Sequence, residues 1–428
     1  MTQPLHFRDC LPYPGALTAE DTAWLSHVRD VVQPEQLAVR LGDSELEGEP
    51  VVSCDFDGQW RAGRYIGHID VSGRRLVISP RLGLPVIESW LNHALNILAV
   101  PSSATLTESE AFIARLLARI WCAAIDRAAR HGPPAFRADR LHEGVFVRGR
   151  FAVPETVTLK GRGVPKLASV TRDRIIENPV SRALVAAERV LSQQIGDREW
   201  RTRRVRELLP QLVAAVGSRP RLPRLGELRT VRYTPITEPY RKVAQLSYRI
   251  ARAGGFAASD EAGSADGLLI DVAELWELFV LACIRDVAAP LEVEHGTRLD
   301  APEALLASIS MPSRTLGRIR PDIIVRDPTG RVSTIVDAKY KRLVPSRERP
   351  LGVDRGDLYQ LSSYIARYET DRVITGGLAY PSDPEDVGIS EAEENGPWRT
   401  VGGSHVWFRR LPVIRGECQE ALRELVKG

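Results

Sequence analysis

Apolar residues recur along this chain with two periods, and the period switches with position. From Thr18 to Val32 the spacing is helical, with Thr18 placed as an N-cap and Asp21 three residues on. Val51 to Cys54, Tyr65 to Val71 and Leu76 to Arg81 read instead as strands, and Ser72-Gly73 turns the second into the third as a hairpin. The clearest long helix spans about 104 to 132. Phe112, Leu116, Leu117, Ile120, Trp121, Ala124 and Ile125 fall three and four apart, arginines fill much of the rest, and Gly132-Pro133-Pro134 ends it. A second helix opens at Asn178-Pro179 and runs to about Ile195. Amphipathic stripes mark two more, one over Asp271 to Val280 and one from Asp357 through positions 358, 361, 364, 365 and 368. Between these two lie short apolar runs, Ile323-Ile324-Val325 and Ile335-Val336, separated by Asp327-Pro328-Thr329-Gly330, which is turn chemistry. Residues 318 to 342 therefore read as an antiparallel hairpin. A core strand over 373 to 381, an acidic loop over 382 to 397, a last strand or two within 401 to 413 and a helix over 418 to 426 complete the chain.

Ala251 to Gly267 is small, polar and Gly-rich, the composition of a flexible connection. It divides the chain into a β-rich region over 1–103, a helical middle region over 104–253, a linker over 254–267 and an α/β domain over 268–428. The fold class expected is mixed α/β, with a central mixed sheet flanked by helices in the last domain.

Composition narrows the possibilities. At 428 residues there is room for two or three domains, and 43% hydrophobic with 26% charged residues is ordinary for a globular chain. A net charge of +3 makes no global polycation, so any nucleic-acid surface must come from local clusters. Two exist: Arg198, Arg201, Arg203, Arg204 and Arg206 around Trp200, and Arg219, Arg221, Arg224, Arg229 and Arg232. Solvated helix is the default reading of both, with a nucleic-acid or partner contact as the alternative. The five cysteines are scattered and form no CxxC pair, which supports neither a zinc site nor a disulfide framework and fits a reducing cytoplasm. His68 has no suitably spaced metal-binding residue, so it reads as a packing or surface histidine. The first ten residues lack a signal-peptide pattern, and no apolar run is long enough to span a membrane. No lysine follows a glycine, so a phosphate-binding GxxxxGK[ST] loop is excluded and this chain is expected to bind no nucleotide that way.

The chemistry gathers on the 318–342 hairpin. Asp322 opens one strand, while Asp337 and Lys339 close the other, so antiparallel pairing brings all three to one end. Residues 337 and 339 are two apart and share a face. Two carboxylates repel unless a cation sits between them, and hard oxygen ligands suit Mg²⁺. The pattern is that of the PD-(D/E)xK nuclease motif: Pro321-Asp322, then Asp337-Ala338-Lys339 fifteen positions on. Pro321-Asp322 is the sole Pro-Asp in the chain, and Lys339 is the one lysine of six with an acidic residue two places before it. Against 52 arginines, a lysine at 339 calls for a reason, and a compact point charge that handles protons provides one. The bland alternative is a surface hairpin bearing an Asp–Lys pair. The helix after the hairpin can aim Gln360 at the same place, and Glu277 on the helix before it offers either a further carboxylate or a solvated helix face.

Gly267-Leu268-Leu269-Ile270-Asp271 leading into Leu275-Trp276-Glu277-Leu278-Phe279-Val280, then Arg320-Pro321-Asp322, Asp337-Ala338-Lys339-Tyr340-Lys341 and Asp357-x-Tyr359-Gln360-Leu361-x-x-Tyr364, resemble the McrC family in order and spacing. The match is good over about 268 to 380. More loosely, it extends to the strand pair near 65–81, a Gly-Arg element near 149 and the Asn-led helix at 178. McrC is the nuclease subunit of the McrBC restriction system, which acts in defence against DNA carrying 5-methylcytosine. The resemblance implies a C-terminal PD-(D/E)xK domain, double-stranded DNA as substrate, and a partner of the McrB type, an AAA+ GTPase that reads the modified cytosine. It also implies that the amino-terminal half docks into that ring and stimulates hydrolysis. On this reading Asp322 and Asp337 hold Mg²⁺, or Mn²⁺ in its stead, with the Ala338 carbonyl and Glu277 as further ligands. Lys339 positions the attacking water and stabilises charge on the phosphate, Gln360 orients water or phosphate, and Tyr340 and Lys341 touch the DNA backbone. Cutting would leave a 5′ phosphate. Two rivals remain: a non-cleaving adaptor that activates a ring, and a standalone nuclease, against which some 250 additional residues argue.

Overall fold

Ser72 and Gly73 take φ values of 51° and 75°, the paired left-handed conformation of a tight two-residue hairpin turn. They join the antiparallel strands Tyr65–Val71 and Arg74–Ser79. Around this hairpin a computed structural model builds a five-stranded sheet in the order Leu5–Arg8, Arg74–Ser79, Tyr65–Val71, Asp266–Asp271, Ala38–Val39. The structure describes residues 3–39, 41, 48–95, 109–196, 199–253, 265–296, 303–343, 352–369, 372–383 and 396–426. The fourth strand of the sheet comes from far along the chain. It pairs antiparallel with Tyr65–Val71, setting Gly67 opposite Leu269 and Gly267 opposite Ile69. Backbones approach so closely there that a Cβ on Gly67 would stand 2.1 Å from the Leu268 carbonyl oxygen. Phe7, Leu25, Trp60, Tyr65, Ile69, Leu76 and Leu269 fill one core beneath this sheet.

The consequence is a different partition from the one the sequence suggests. Two compact units form, one from Met1–Thr105 together with Gly263–Gly428, the other from Leu106–Ala262. The regions read as 1–103 and 268–428 thus fold together, because strand Asp266–Asp271 completes the amino-terminal sheet. Residues 254–264 of the expected linker lie outside the described residues, as do 384–395 of the expected acidic loop.

In the same first unit a six-stranded mixed sheet runs in the order Glu292–His295, Ile323–Arg326, Val332–Ala338, Thr375–Pro381, His405–Leu411, Trp398–Arg399. Its two inner junctions, Val332–Ala338 with Thr375–Pro381 and the latter with His405–Leu411, are parallel and the others antiparallel. The central strands are apolar and buried, as strands covered on both faces must be. Helix Arg355–Tyr368 packs Leu361, Tyr364 and Ile365 onto Ile335, Leu378 and Tyr380. Helix Val272–Ala288 follows the Asp266–Asp271 strand at once. Asp271 caps it, its Oδ1 accepting the Ala273 and Glu274 N–H groups at 2.9 and 3.3 Å. The Trp276 indole N–H of that helix donates to the Ala379 carbonyl at 3.1 Å.

The second unit sets helices Ser109–Ala128, Pro179–Ile195, Arg203–Val216 and Tyr240–Ala251 beside a three-stranded antiparallel sheet of Phe136–Gly144, Leu167–Ile175 and Arg150–Phe151. That sheet is absent from the expected helical middle, because its strands are mostly exposed and carry no apolar alternation to read. Among the described residues, no helix is long and apolar enough to cross a membrane.

Candidate active site

Antiparallel pairing of Ile323–Arg326 with Val332–Ala338 sets Ile323 opposite Val336, so the next step of the register brings Asp322 beside Asp337. Asp322 Oδ2 accepts the Ala338 backbone N–H at 2.7 Å. Asp337 is buried, with only 1% of its surface exposed, and its Oδ2 pairs with the Lys339 ammonium at 2.9 Å. The Lys339 ammonium also donates to Gln360 Oε1 at 2.8 Å. Gln360 Nε2 donates onward to the Tyr364 hydroxyl at 2.7 Å, which donates to the Arg320 carbonyl at 3.2 Å. A closed relay therefore runs from the lysine through the following helix and back to the residue before Pro321.

Glu277 is half-buried rather than solvated. Its Oε1 lies 2.6 Å from His295 Nε2, on the strand that flanks Ile323. Burial is the main force raising the pKa of Asp322 well above the ordinary carboxylate range; the charges of Glu277 and then Asp337 add to it, against the pull of Lys339. For Lys339 burial works in the other direction, favouring loss of the proton, yet Asp337 and Asp322 more than offset it and hold the ammonium charged.

A cavity of about 720 Å³ opens over these groups, lined by Glu277, Asp322, Ala338, Lys339 and Gln360. Asp337 does not itself line it. The sequence-derived set Asp322, Asp337, Ala338, Lys339, Gln360 and Glu277 is brought to this one place. Among the described residues, no three His, Cys, Asp or Glu side chains form a ready-made metal cluster. The donors present are nonetheless closely set carboxylates whose charges oppose one another, with a single ammonium, Lys339, to balance the buried Asp337. That donor set fits a hard divalent cation such as Mg²⁺ or Mn²⁺ better than a soft one.

Other residues depart from expectation. Tyr340 is buried, with Arg81 stacked over its ring at 4.4 Å and Trp90 edge-on at 6.2 Å, so its phenol is not available to a duplex. Lys341 is half-buried and paired with Asp357 at 2.7 Å. Arg320 and Tyr364 escaped sequence reasoning as functional residues: the first is one arginine among 52, and the second sits on the apolar stripe of its helix. Four arginines of the second unit's basic runs are engaged by internal partners. Arg201 pairs with Glu188, Arg203 with Glu207 at 2.8 Å and Arg221 with Glu227 at 2.9 Å, while Arg204 donates to the Asp126 carbonyl.

Fold and site together define a mixed α/β protein with an acid–lysine cavity at one end of its larger sheet. The chain belongs to the McrBC family: the model of the McrBC 5-methylcytosine restriction system component matches residues 60–381. A search of curated proteins finds no match. Among solved structures, the chain is similar to one from a refined half-complex of the tetradecameric assembly of Thermococcus gammatolerans McrB AAA+ hexamers with bound McrC. That likeness has a TM-score of 0.53 and 14% identity, and covers 99% of each chain. A chain of the cryo-EM structure of the Thermococcus gammatolerans McrBC complex is more distant, with a TM-score of 0.37 and 16% identity over 68% of this chain and 89% of that one.

Proposed function

We propose that this chain is a metal-dependent DNA endonuclease, the cutting subunit of a restriction system directed at methylcytosine-containing DNA, with a larger-sheet domain of the PD-(D/E)xK kind. The observation that carries the reading is the convergence of Asp322, Asp337, Lys339 and Gln360 at one end of a hairpin, with Glu277 in the same cavity. Asp322 and Asp337, with Glu277 and the Ala338 carbonyl, would hold a Mg²⁺ or Mn²⁺ ion, which when bound neutralises phosphate charge and acidifies water. Lys339 contributes a preorganised ammonium to the charge that grows on the phosphate oxygens in the transition state. Gln360 holds that ammonium in place and is itself aimed by Tyr364.

No P-loop occurs in the sequence, so the energy-coupling step falls to a partner. The McrB AAA+ hexamer named with the similar structure supplies the partner of choice: a ring GTPase that this chain engages and stimulates. The test is cleavage of methylated plasmid by the chain with its cognate ring, GTP and Mg²⁺. Cutting that is lost in Asp337→Ala and Lys339→Ala, while the ring's GTPase remains stimulated, is the expected result. Undiminished cutting by either variant overturns the assignment.

A further inference from the structure

The cavity has a wall that the nuclease reading does not use. It is lined by residues of the amino-terminal segment as well as by the hairpin, all within the one compact unit. Arg61 stands on strand Trp60–Ala62, whose neighbours Trp60 and Ala62 turn into the core while Arg61 is exposed. Its Nη1 makes a long hydrogen bond to the Cys10 carbonyl at 3.4 Å, and among the described residues it has no carboxylate partner. Arg320, two residues before Asp322, also lines the cavity. Its Nε is buried with no hydrogen-bond partner, and it too has no carboxylate partner among the described residues.

The other cations of the cavity are committed. Arg64 meets Asp271 at 3.2 Å and Glu49 at 3.6 Å, Lys339 meets Asp337, and Lys341 meets Asp357. A cavity rich in carboxylates offers many acids for a guanidinium to pair with. Two arginines that line it yet pair with none of them are placed for an anion from outside the chain. Guanidinium is the cation best matched in shape to a phosphate, through its fork of donors.

We propose that Arg61 and Arg320 form a phosphate clamp for duplex DNA, so that the amino-terminal segment supplies one wall of the cutting site. The proposal rests on the nuclease reading for the identity of its ligand. In it, Arg320 takes a phosphate next to the Asp322 carboxylate and Arg61 takes one further along the backbone, fixing the register of the strand over the site. Such contacts position the duplex and carry no sequence information.

The test measures binding, not cutting. The full chain, in EDTA, is titrated against a fluorescent 30-base-pair duplex by anisotropy across a series of KCl concentrations. Arg61→Ala and Arg320→Gln should each weaken binding about tenfold. Each should also flatten the slope of log affinity against log salt by about 0.9, the change that follows when one phosphate is no longer neutralised. Arg61→Glu, at an exposed position, keeps the question decidable if Arg320→Gln fails to fold, with circular dichroism as the check. Unchanged affinity and slope in the Arg61 variants overturns the clamp, and so does a full chain that binds no duplex. The two readings fail separately. An Asp337→Asn chain that still cuts sinks the nuclease assignment, whereas Arg61 variants that bind normally sink the clamp alone.

Discussion

Lys339 Nζ lies 2.8 Å from Gln360 Oε1 and 2.9 Å from Asp337 Oδ2, so its position is fixed from two elements at once. A cation held this way needs no reorganisation when negative charge develops nearby, which makes its loss costly. Lys339→Ala should lower single-turnover DNA cleavage about 10²- to 10³-fold. Lys339→Arg should be nearly as poor, because a planar fork cannot occupy the place of a compact ammonium. Gln360→Ala leaves the charge but frees it, and should cost roughly tenfold, the worth of one hydrogen bond to a charged group. Equal activity of the lysine and arginine chains would show that position, not chemical type, is what matters at 339.

The Asp322 carboxylate is held against its own ionisation by burial and by the Glu277 and Asp337 charges. Its pKa in the fold lies above its value in the unfolded chain. The protonated form therefore stabilises the fold at low pH, and that contribution is lost as pH rises through the folded pKa. In EDTA, Asp322→Asn should melt at a higher temperature than the wild type at neutral pH, and the difference should shrink towards about pH 4. Divalent cation reverses the order. Mg²⁺ should raise the wild-type melting temperature and leave Asp322→Asn unmoved, while that variant loses cutting altogether. Melting scans with and without Mg²⁺ over this pH range check both signs.

Much of this site is legible in the sequence because its parts are local. A hairpin needs only two apolar runs and a turn, and a hairpin alone carries Asp322 to Asp337 and Lys339. The Thr18 cap is equally local and appears where the sequence places it, and the helix expected from Asn178 onward starts there, with Asn178 as its cap. What escapes is non-local. Nothing near residue 266 announces that its strand pairs with residues 65–71, so the chain divides in space differently from its composition. The mostly exposed sheet over 136–175 buries little beyond Ala168 and Ser169 on its strands, too little to leave an alternation to read. Arg61 and Arg320 become candidates only once their distance from every carboxylate is known, a property no spacing encodes.

The amide of Asn178 does more than cap a helix. Its Oδ1 accepts the Ser181 N–H at 3.0 Å, while its Nδ2 donates to the carbonyls of Pro134, Ile176 and Ile175 at 2.6, 2.8 and 3.2 Å. An ordinary N-cap is worth about 1 kcal/mol, and Asn178→Ala also removes the two N–H donors that these carbonyls share. A loss of about 2–3 kcal/mol in urea unfolding is expected. Asn178→Asp, which keeps the cap acceptor and discards the donors, should fall between the two and so separate the contributions.

Gly67 marks the seam at which distant parts of the chain join. Its φ of 139° and the 2.1 Å gap to the Leu268 oxygen leave no place for a side chain. Gly67→Ala must push strand Asp266–Asp271 away, and with it the helix that carries Glu277. A destabilisation of about 3 kcal/mol is expected, at the upper end for overpacking because backbone rather than a flexible side chain has to yield. Glycine at position 73, in the exposed turn, has nothing within 4 Å of its would-be Cβ. Gly73→Asn should accordingly cost little, since asparagine tolerates the left-handed conformation. Urea unfolding of the two variants side by side distinguishes a crowded seam from a general demand for glycine.

Asp21 ties the first helix to the hairpin. It closes a capping box with Thr18, accepting from the Thr18 backbone N–H at 2.8 Å and its hydroxyl at 2.7 Å, and it pairs with Arg74. The Arg74 guanidinium, then the Thr18 donors, pull its pKa down to about 2. A carboxylate whose folded pKa lies below its unfolded one stabilises the fold at pH values above the unfolded pKa. That stability drains away as pH falls towards the folded value. The urea midpoint of Asp21→Asn should therefore lie furthest below the wild type at neutral pH, and the two should converge between about pH 4 and pH 2. Arg74→Gln should reproduce most of the neutral-pH loss, since it removes the larger cause of the shift. A gap between wild type and Asp21→Asn that stays constant down to pH 2 would mean that the carboxylate acts through its shape as a cap acceptor and not through its charge.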